Sequence, residues 1–275
     1  MTDSSEAIVF HGACEAGDFD KASVELESGS INPSNGWGGR RTTPLHWASQ
    51  HGNLRFVKLL VENCGVDPGP TLLGGHEETP LHLAAVEGHL EVVKYLIEEA
   101  RCHPDARARG FRRPPITYAC GISTIPDYHY SDDARALDIV KYFIGECGCD
   151  PNWRDAFGMT ALHNAAINRR PDLVRYLLTE CGCDPLERDN VGNTCVHLAC
   201  WQSAYRPAQA AVAIIRTLVV RFGCDPVATN HNGEQPIDLA DEREVYAELV
   251  SYGAQGRKAG MYRHPLSFMA HANPR

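Results

Sequence analysis

Four histidines recur in one local setting: Thr43-Pro-Leu-His46, Thr79-Pro-Leu-His82, Thr160-Ala-Leu-His163 and Thr194-Cys-Val-His197. Imidazole is the commonest side-chain metal ligand, and the same chain carries 11 cysteines. These are the residue types of a zinc ladder. The spacing opposes one. Helices packed side by side stand about 8–10 Å apart, whereas zinc holds nitrogen ligands at about 2.0–2.1 Å, so successive copies cannot share an ion. In weaker copies of the pattern Thr117 and Asp238 take the histidine slot, which a required ligand would not tolerate. The expectation is scaffold histidines, with no metal and no cofactor.

The cysteines sort in the same way. A second signature closes each copy: Gly65-Val-Asp-Pro68, Cys102-His-Pro-Asp105, Gly148-Cys-Asp-Pro151, Gly182-Cys-Asp-Pro185 and Gly223-Cys-Asp-Pro226. Two residues before its proline stand Val66, Cys102, Cys149, Cys183 and Cys224; four before it stand Cys64, Ala100, Cys147, Cys181 and Phe222. Cysteine alternates with Val, Ala and Phe, the behaviour of a small buried hydrophobe. Cys14, Cys120 and Cys200 fill a slot that is alanine in other copies, and only Cys195 lies outside these columns. No Gly-rich phosphate loop, GxSxG elbow or HExxH is present. Asp132-Asp133 and Asp241-Glu242 read as solvated charge pairs. The chain is expected not to be an enzyme.

The elements that carry these residues repeat. With the weaker copies Ile8-Val-Phe-His11, Pro114-Pro-Ile-Thr117 and Gln235-Pro-Ile-Asp238, the signature starts at 8, 43, 79, 114, 160, 194 and 235. Thr is a good helix N-cap and Pro suits the first helical position, so each signature predicts a short first helix. The runs at 54–61, 90–97, 137–144, 172–178 and 213–220 have aliphatic residues at helical spacing, and each predicts a second helix that stops at the closing turn. Neither helix can bury its apolar face alone, so the units must stack.

This pattern resembles the ankyrin-repeat family over roughly residues 7–254. The resemblance implies an all-α solenoid of helix-turn-helix repeats joined by hairpin-like loops, with repeats at about 8–42, 43–78, 79–113, 114–159, 160–193, 194–234 and 235–254. The charged first and seventh copies read as capping repeats, together suggesting a complete array. Residues 255–275 lack the pattern and read as a flexible basic tail. The resemblance also implies that each signature histidine ties its own Thr to nearby backbone. Partners would meet a concave face made of hairpin tips and first-helix ends. Carried onto this sequence, those positions are Trp37, Arg40, Arg41, Arg107, Arg109, Phe111, Arg112, Arg113, Trp153 and Phe157 at the tips. On the helices they are Gln50, His51, Val86, Glu87, Ile167 and Asn168.

Two insertions individualise the array, one within 121–136 with Tyr128, His129 and Tyr130, the other within 201–211 with Trp201 and Tyr205. Loops on one face of a repeat often serve binding; loop growth also costs little. A net charge of −9 over 275 residues argues against nucleic acid as the main partner. The N-terminus has no signal-peptide pattern and the most apolar stretch is too short to span a bilayer, so a soluble intracellular monomer, cytoplasmic or nuclear, is expected. Against that charge the run Arg101, Arg107, Arg109, Arg112, Arg113 stands out and suits an acidic or phosphorylated peptide. The leading expectation is a non-catalytic scaffold or adaptor. The alternatives are a regulatory subunit or inhibitor masking an enzyme, transcription factor or proteasome component, and a metal or enzymatic protein.

Overall fold

A Thr before a short apolar helix must satisfy the helix's first N–H groups, and here histidine completes the cap. Thr43, Thr79, Thr160 and Thr194 form reciprocal capping boxes with His46, His82, His163 and His197 three residues on. The Thr backbone N–H donates to the ring Nδ1 at 3.2–3.3 Å. That fixes the ring proton on Nε2, which donates to a carbonyl of the following hairpin: Glu78, Arg113, Glu187 and Glu234 respectively, at 3.0–3.3 Å. The two exceptions follow from the same logic. Pro114 has no N–H to donate, and Thr117 instead turns its hydroxyl to the Pro114 carbonyl at 2.7 Å. Asp238 replaces the ring with a carboxylate, which accepts from the Gln235 N–H at 2.9 Å.

The computed structural model describes residues 5–27, 31–38, 42–69, 78–107, 112–121, 132–201 and 206–256. By internal contacts the chain divides into two compact units, Met1–Asp150 and Pro151–Arg275. In the first, helices follow in pairs: α1 (Ser5–Ala16) and α2 (Phe19–Glu27); α3 (Pro44–Gln50) and α4 (Leu54–Lys58, continued by a π turn over Leu59–Asn63). Then come α5 (Pro80–Glu87) with α6 (Leu90–Glu98), and α7 (Pro115–Ala119) with α8 (Asp133–Gly145). First helices pack in the series α1, α3, α5, α7, and second helices in the series α4, α6, α8.

The second unit holds α9 (Ala161–Ile167) with α10 (Pro171–Thr179), and α11 (Cys195–Cys200) with α12 (Ala208–Arg216, continued by a π turn over Thr217–Arg221). A 3-10 turn at Pro236–Leu239 precedes α13 (Arg243–Ser251). Two second helices begin earlier than the aliphatic runs alone predict. The Asp132 side chain caps α8 by accepting from the Arg135 N–H, and Pro207 stands in extended conformation just before α12. Among the described residues there is no strand, only an antiparallel bridge between Trp37 and Thr42.

The core is built from the stacked faces: Leu45, Phe56, Val57 and Leu60, then Leu81, Val92, Val93 and Leu96, and in the second unit Leu162, Leu173, Val174, Leu177, Ile214, Ile215 and Leu218 are all buried. Five second helices end on one device. The N–H of Val66, Cys102, Cys149, Cys183 and Cys224 bonds back six residues to the helix carbonyl at 2.8–3.0 Å, one residue further than the closing bond of a Schellman turn.

Three kinds of turn therefore hold a left-handed residue, most often glycine among the described copies. The helix-closing turn uses Gly65, Gly148, Gly182 and Gly223; the hairpin uses Gly158, Gly192 and Gly233; the turn between paired helices uses Gly17, Gly52 and Gly88. Among the described residues one copy of each turn has arginine instead. Arg101, Arg112 and Arg169 take these slots at φ 61°, 54° and 51°, where a side chain costs about 1–3 kcal/mol.

The buried-cysteine expectation holds for one column except at Cys102 and fails for the other. Cys149, Cys183 and Cys224 are buried, but Cys102 is half-buried, Cys147 and Cys181 are half-exposed and Cys64 is exposed. Residues of the outer column stand one or two positions beyond the end of the second helix, in the closing turn. Cys14, Cys120, Cys195 and Cys200 are buried. Burial pushes the Cys14 thiol up to about 12 and raises Cys195 and Cys200 well above the ordinary thiol range, so these are packing groups without thiolate chemistry.

Candidate protein-interaction surface

The expected contact positions separate into side chains consumed by the fold and side chains presented to solvent. In the first unit Val86 was expected on the accessible face; it is buried beside Leu83 and Tyr118. Arg113 was expected at an open tip and is 1% exposed, held where its own carbonyl receives the His82 ring proton. Beside it Glu78, also buried, accepts from the Tyr118 hydroxyl at 3.2 Å. Trp37 is half-buried and stacks on His11 of α1 with ring centroids 5.0 Å apart, the aromatic folding onto the first helix.

The first-helix ends interlock. His51 is exposed, yet its Nε2 donates to the Glu15 carbonyl at 3.3 Å, and His89 donates to the carbonyl of Gln50 at 2.8 Å. Burial and the neighbouring charges of Arg135 and His51 outweigh that bond and lower the His89 pKa. Glu87 is half-buried, and burial raises its carboxyl to about 7. A carboxyl only half ionised at neutral pH is a weaker anchor for a cation. His82 moves further: burial drives it down to about 4 against the opposing Arg113 carbonyl and Glu78 charge, so the ring is neutral in its cap.

Arg101, Arg107 and Arg112 differ from all of these. They are exposed, and among the described residues Arg101 and Arg112 make no hydrogen bond or ion pair. Arg40, Arg41, Arg109, Phe111, Tyr128, His129, Tyr130 and Tyr205, all candidates from the sequence, lie outside the described residues.

In the second unit the hairpins satisfy themselves. Asp155 accepts from the N–H groups of Phe157 and Met159, Asp189 from Val191 and Asn193, and Asn230 from Asn232 and Glu234, all at 2.8–3.0 Å. Successive hairpins join through Asn190 N–H to the Phe157 carbonyl and His231 N–H to the Val191 carbonyl. Phe157, expected at an open tip, is buried under this ladder, and Trp153 is half-buried. Arg154 donates to Glu187 and to the Arg188 carbonyl, and Arg188 to the carbonyls of Gly192 and Thr229. Ile167 and Asn168 are half-buried, and Asn168 Nδ2 donates to the Asn164 carbonyl at 2.7 Å.

The sequence reading missed Arg169 and Glu242. Arg169 is fully buried and forks onto both oxygens of Glu242, while also donating to the carbonyls of Trp201 and Arg206. Glu242, expected as solvated charge, is therefore the partner of a buried cation, and the guanidinium clasps both stems of the 201–206 loop. Trp201 itself is half-buried. The available signal was Asn168-Arg169-Arg170-Pro171 standing where other copies place glycine. No group of three His, Cys, Asp or Glu among the described residues could hold a metal ion, and no described helix is long and apolar enough to cross a membrane.

Stacked helix pairs, Thr–His caps and hydrogen-bonded hairpins together define a helical repeat protein. The family model described as ankyrin repeats (3 copies) matches residues 10–108 and 131–230, more than half of the chain, and the chain belongs to the ankyrin-repeat family. The human ASB11 ankyrin repeat domain superposes with a TM-score of 0.66 at 22% identity, covering 91% of this chain and 99% of that one; at that identity the likeness speaks for the fold. Comparison with curated proteins found no match. Ankyrin repeats generally mediate protein–protein interaction, and the fold is typically a non-catalytic scaffold.

Proposed function

We propose that this chain is a non-catalytic adaptor that captures an acidic segment of a partner protein along the edge formed by Arg101, Arg107 and Arg112. One observation carries the reading. Arg101 and Arg112 occupy left-handed slots that are glycine in other copies, and neither side chain has a partner among the described residues. Strain held without internal compensation is a pointer to function. Arginine forks match carboxylate and phosphate oxygens, and both anions satisfy the same geometry. On an acidic chain this edge steers an anionic segment toward itself and away from the rest of the surface.

The test is fluorescence anisotropy with a labelled Glu-rich peptide, its singly phosphorylated Ser-for-Glu version and a neutral Gln version. The expected order is both anionic peptides bound and the Gln peptide not bound. Arg101→Gly with Arg107→Ser and Arg112→Gly is expected to weaken anionic binding at least tenfold. Equal affinity for all three peptides, or no change in the triple variant, would overturn the reading.

A further inference from the structure

A repeat array needs a polar face where stacking stops, and the last described helix of the second unit exposes an apolar stripe beside its polar residues Arg243, Glu244 and Ser251. On α13, Val245 and Leu249 point inward and are fully buried, while Tyr246 and Val250 are 40% and 47% exposed. Ala247 between them is also exposed. Tyr246 and Val250 are four apart, so they share one helical face with Ala247 at its edge. The acidic side chains nearest this face divide in two. Glu242 is engaged by Arg169 and Glu248 by Arg216 and Tyr252. Asp241 and Glu244 are exposed and have no bonded partner among the described residues.

The chain leaves α13 toward that face. Gly253 at φ 86° reverses the backbone, and the Ala254 N–H closes the helix on the Leu249 carbonyl at 3.2 Å. By Gly256 the chain has come back alongside residue 246: a Cβ there would lie 3.6 Å from Tyr246 Cε2 and 3.6 Å from Ile237 Cγ2. The following segment, 257–275, contains Arg257, Lys258, Arg263 and Arg275 and no Asp or Glu, with Met261, Tyr262, Leu266, Phe268 and Met269 among them. Its 19 residues extend to about 60 Å at most, several times the roughly 14 Å length of α13.

We infer that residues 257–275 are the occupant of this face: Met261, Tyr262, Leu266 and Phe268 cover Tyr246, Ala247 and Val250, and the basic side chains meet Asp241 and Glu244. The exit direction, the apolar stripe and the opposite charges of Asp241 and Glu244 select this segment over a second copy, although Arg243, also exposed, stands one turn before Tyr246. The segment then works as a cap in place of an eighth repeat.

The experiment uses the full chain with Phe268→benzoylphenylalanine, irradiated and mapped by peptide mass spectrometry. The expected result is an intramolecular adduct with the peptide holding residues 243–251, reduced at least fivefold by Tyr246→Ser with Val250→Ser. Both replaced residues are exposed, so the fold is retained, and the His197 and Thr194 amide exchange rates serve as the check. An adduct elsewhere on the chain, or none, overturns the inference. An adduct to 243–251 of another molecule, seen only as a cross-linked dimer, overturns it in favour of a second copy. None of these outcomes depends on whether Arg101, Arg107 and Arg112 bind an acidic peptide.

Discussion

Arg112 and Arg169 have the same side chain, nearly the same backbone angle (φ 54° and 51°), and each takes a slot that other repeats give to glycine. Their surroundings are opposite. Arg169, in the second unit, is fully buried, and its guanidinium is spent on Glu242 and two carbonyls. Arg112, in the first, faces solvent with no partner among the described residues. In one place a left-handed arginine is a fastener; in the other it is presented. An unusual residue in a repeat therefore has no fixed meaning until its partners are known.

The contrast breaks most easily at Arg169. Replacing Arg169 with Ala strands the Glu242 carboxylate and two carbonyls. The expected loss is about 3–5 kcal/mol in urea unfolding, against roughly 0.5 kcal/mol for Arg112→Ala. Equal losses would erase the distinction between fastener and presented group.

Acid reaches the internally consumed groups next. His82 is held near 4 in the folded state, below its unfolded value of about 6.5. Above 6.5 the ring is neutral in both states and its cap contributes fully. As pH falls from 6.5 to 4 the unfolded chain gains the proton first, and stability drops by roughly 3 kcal/mol from this residue. His163 and His197, lowered by burial as well, act in the same direction. Urea midpoints measured across that range should fall, and His82→Gln should flatten the slope. A flat profile in the parent protein would contradict the neutral-cap geometry.

The smallest effect sharpens the comparison by sign. Arg112→Gly relieves the left-handed backbone and abandons no bond, so it is expected to raise stability by about 0.5–1 kcal/mol. Arg169→Gly relieves the same strain and still destabilises. Thermal melts of the two variants side by side separate backbone cost from side-chain use.

Much of the scaffold was legible from the sequence because it is periodic. The Thr–His signature, the aliphatic runs and the closing glycines each recur, and each maps to a cap, a helix or a turn. Even the departures at Thr117 and Asp238 have local causes, the missing N–H of Pro114 and the acceptor carboxylate of Asp238. What the sequence did not reveal is set by non-local contact. Arg169 meets Glu242 across 73 positions, and no spacing rule links them. Val86, Arg113 and Phe157 fall at family contact positions but are buried here, because neighbouring hairpins and helix ends close over them. Of the surface candidates, the arginines at 107 and 112 keep the exposure expected of them, with Arg101 alongside.

The most direct test of the account is to locate a bound acidic peptide by hydrogen exchange on the intact chain. Binding through the presented arginines predicts new protection in residues 101–113 and none in the self-satisfied hairpins at 153–159 and 187–193. Protection in those hairpins, with 101–113 unchanged, would contradict the assignment of the arginine edge as the binding surface.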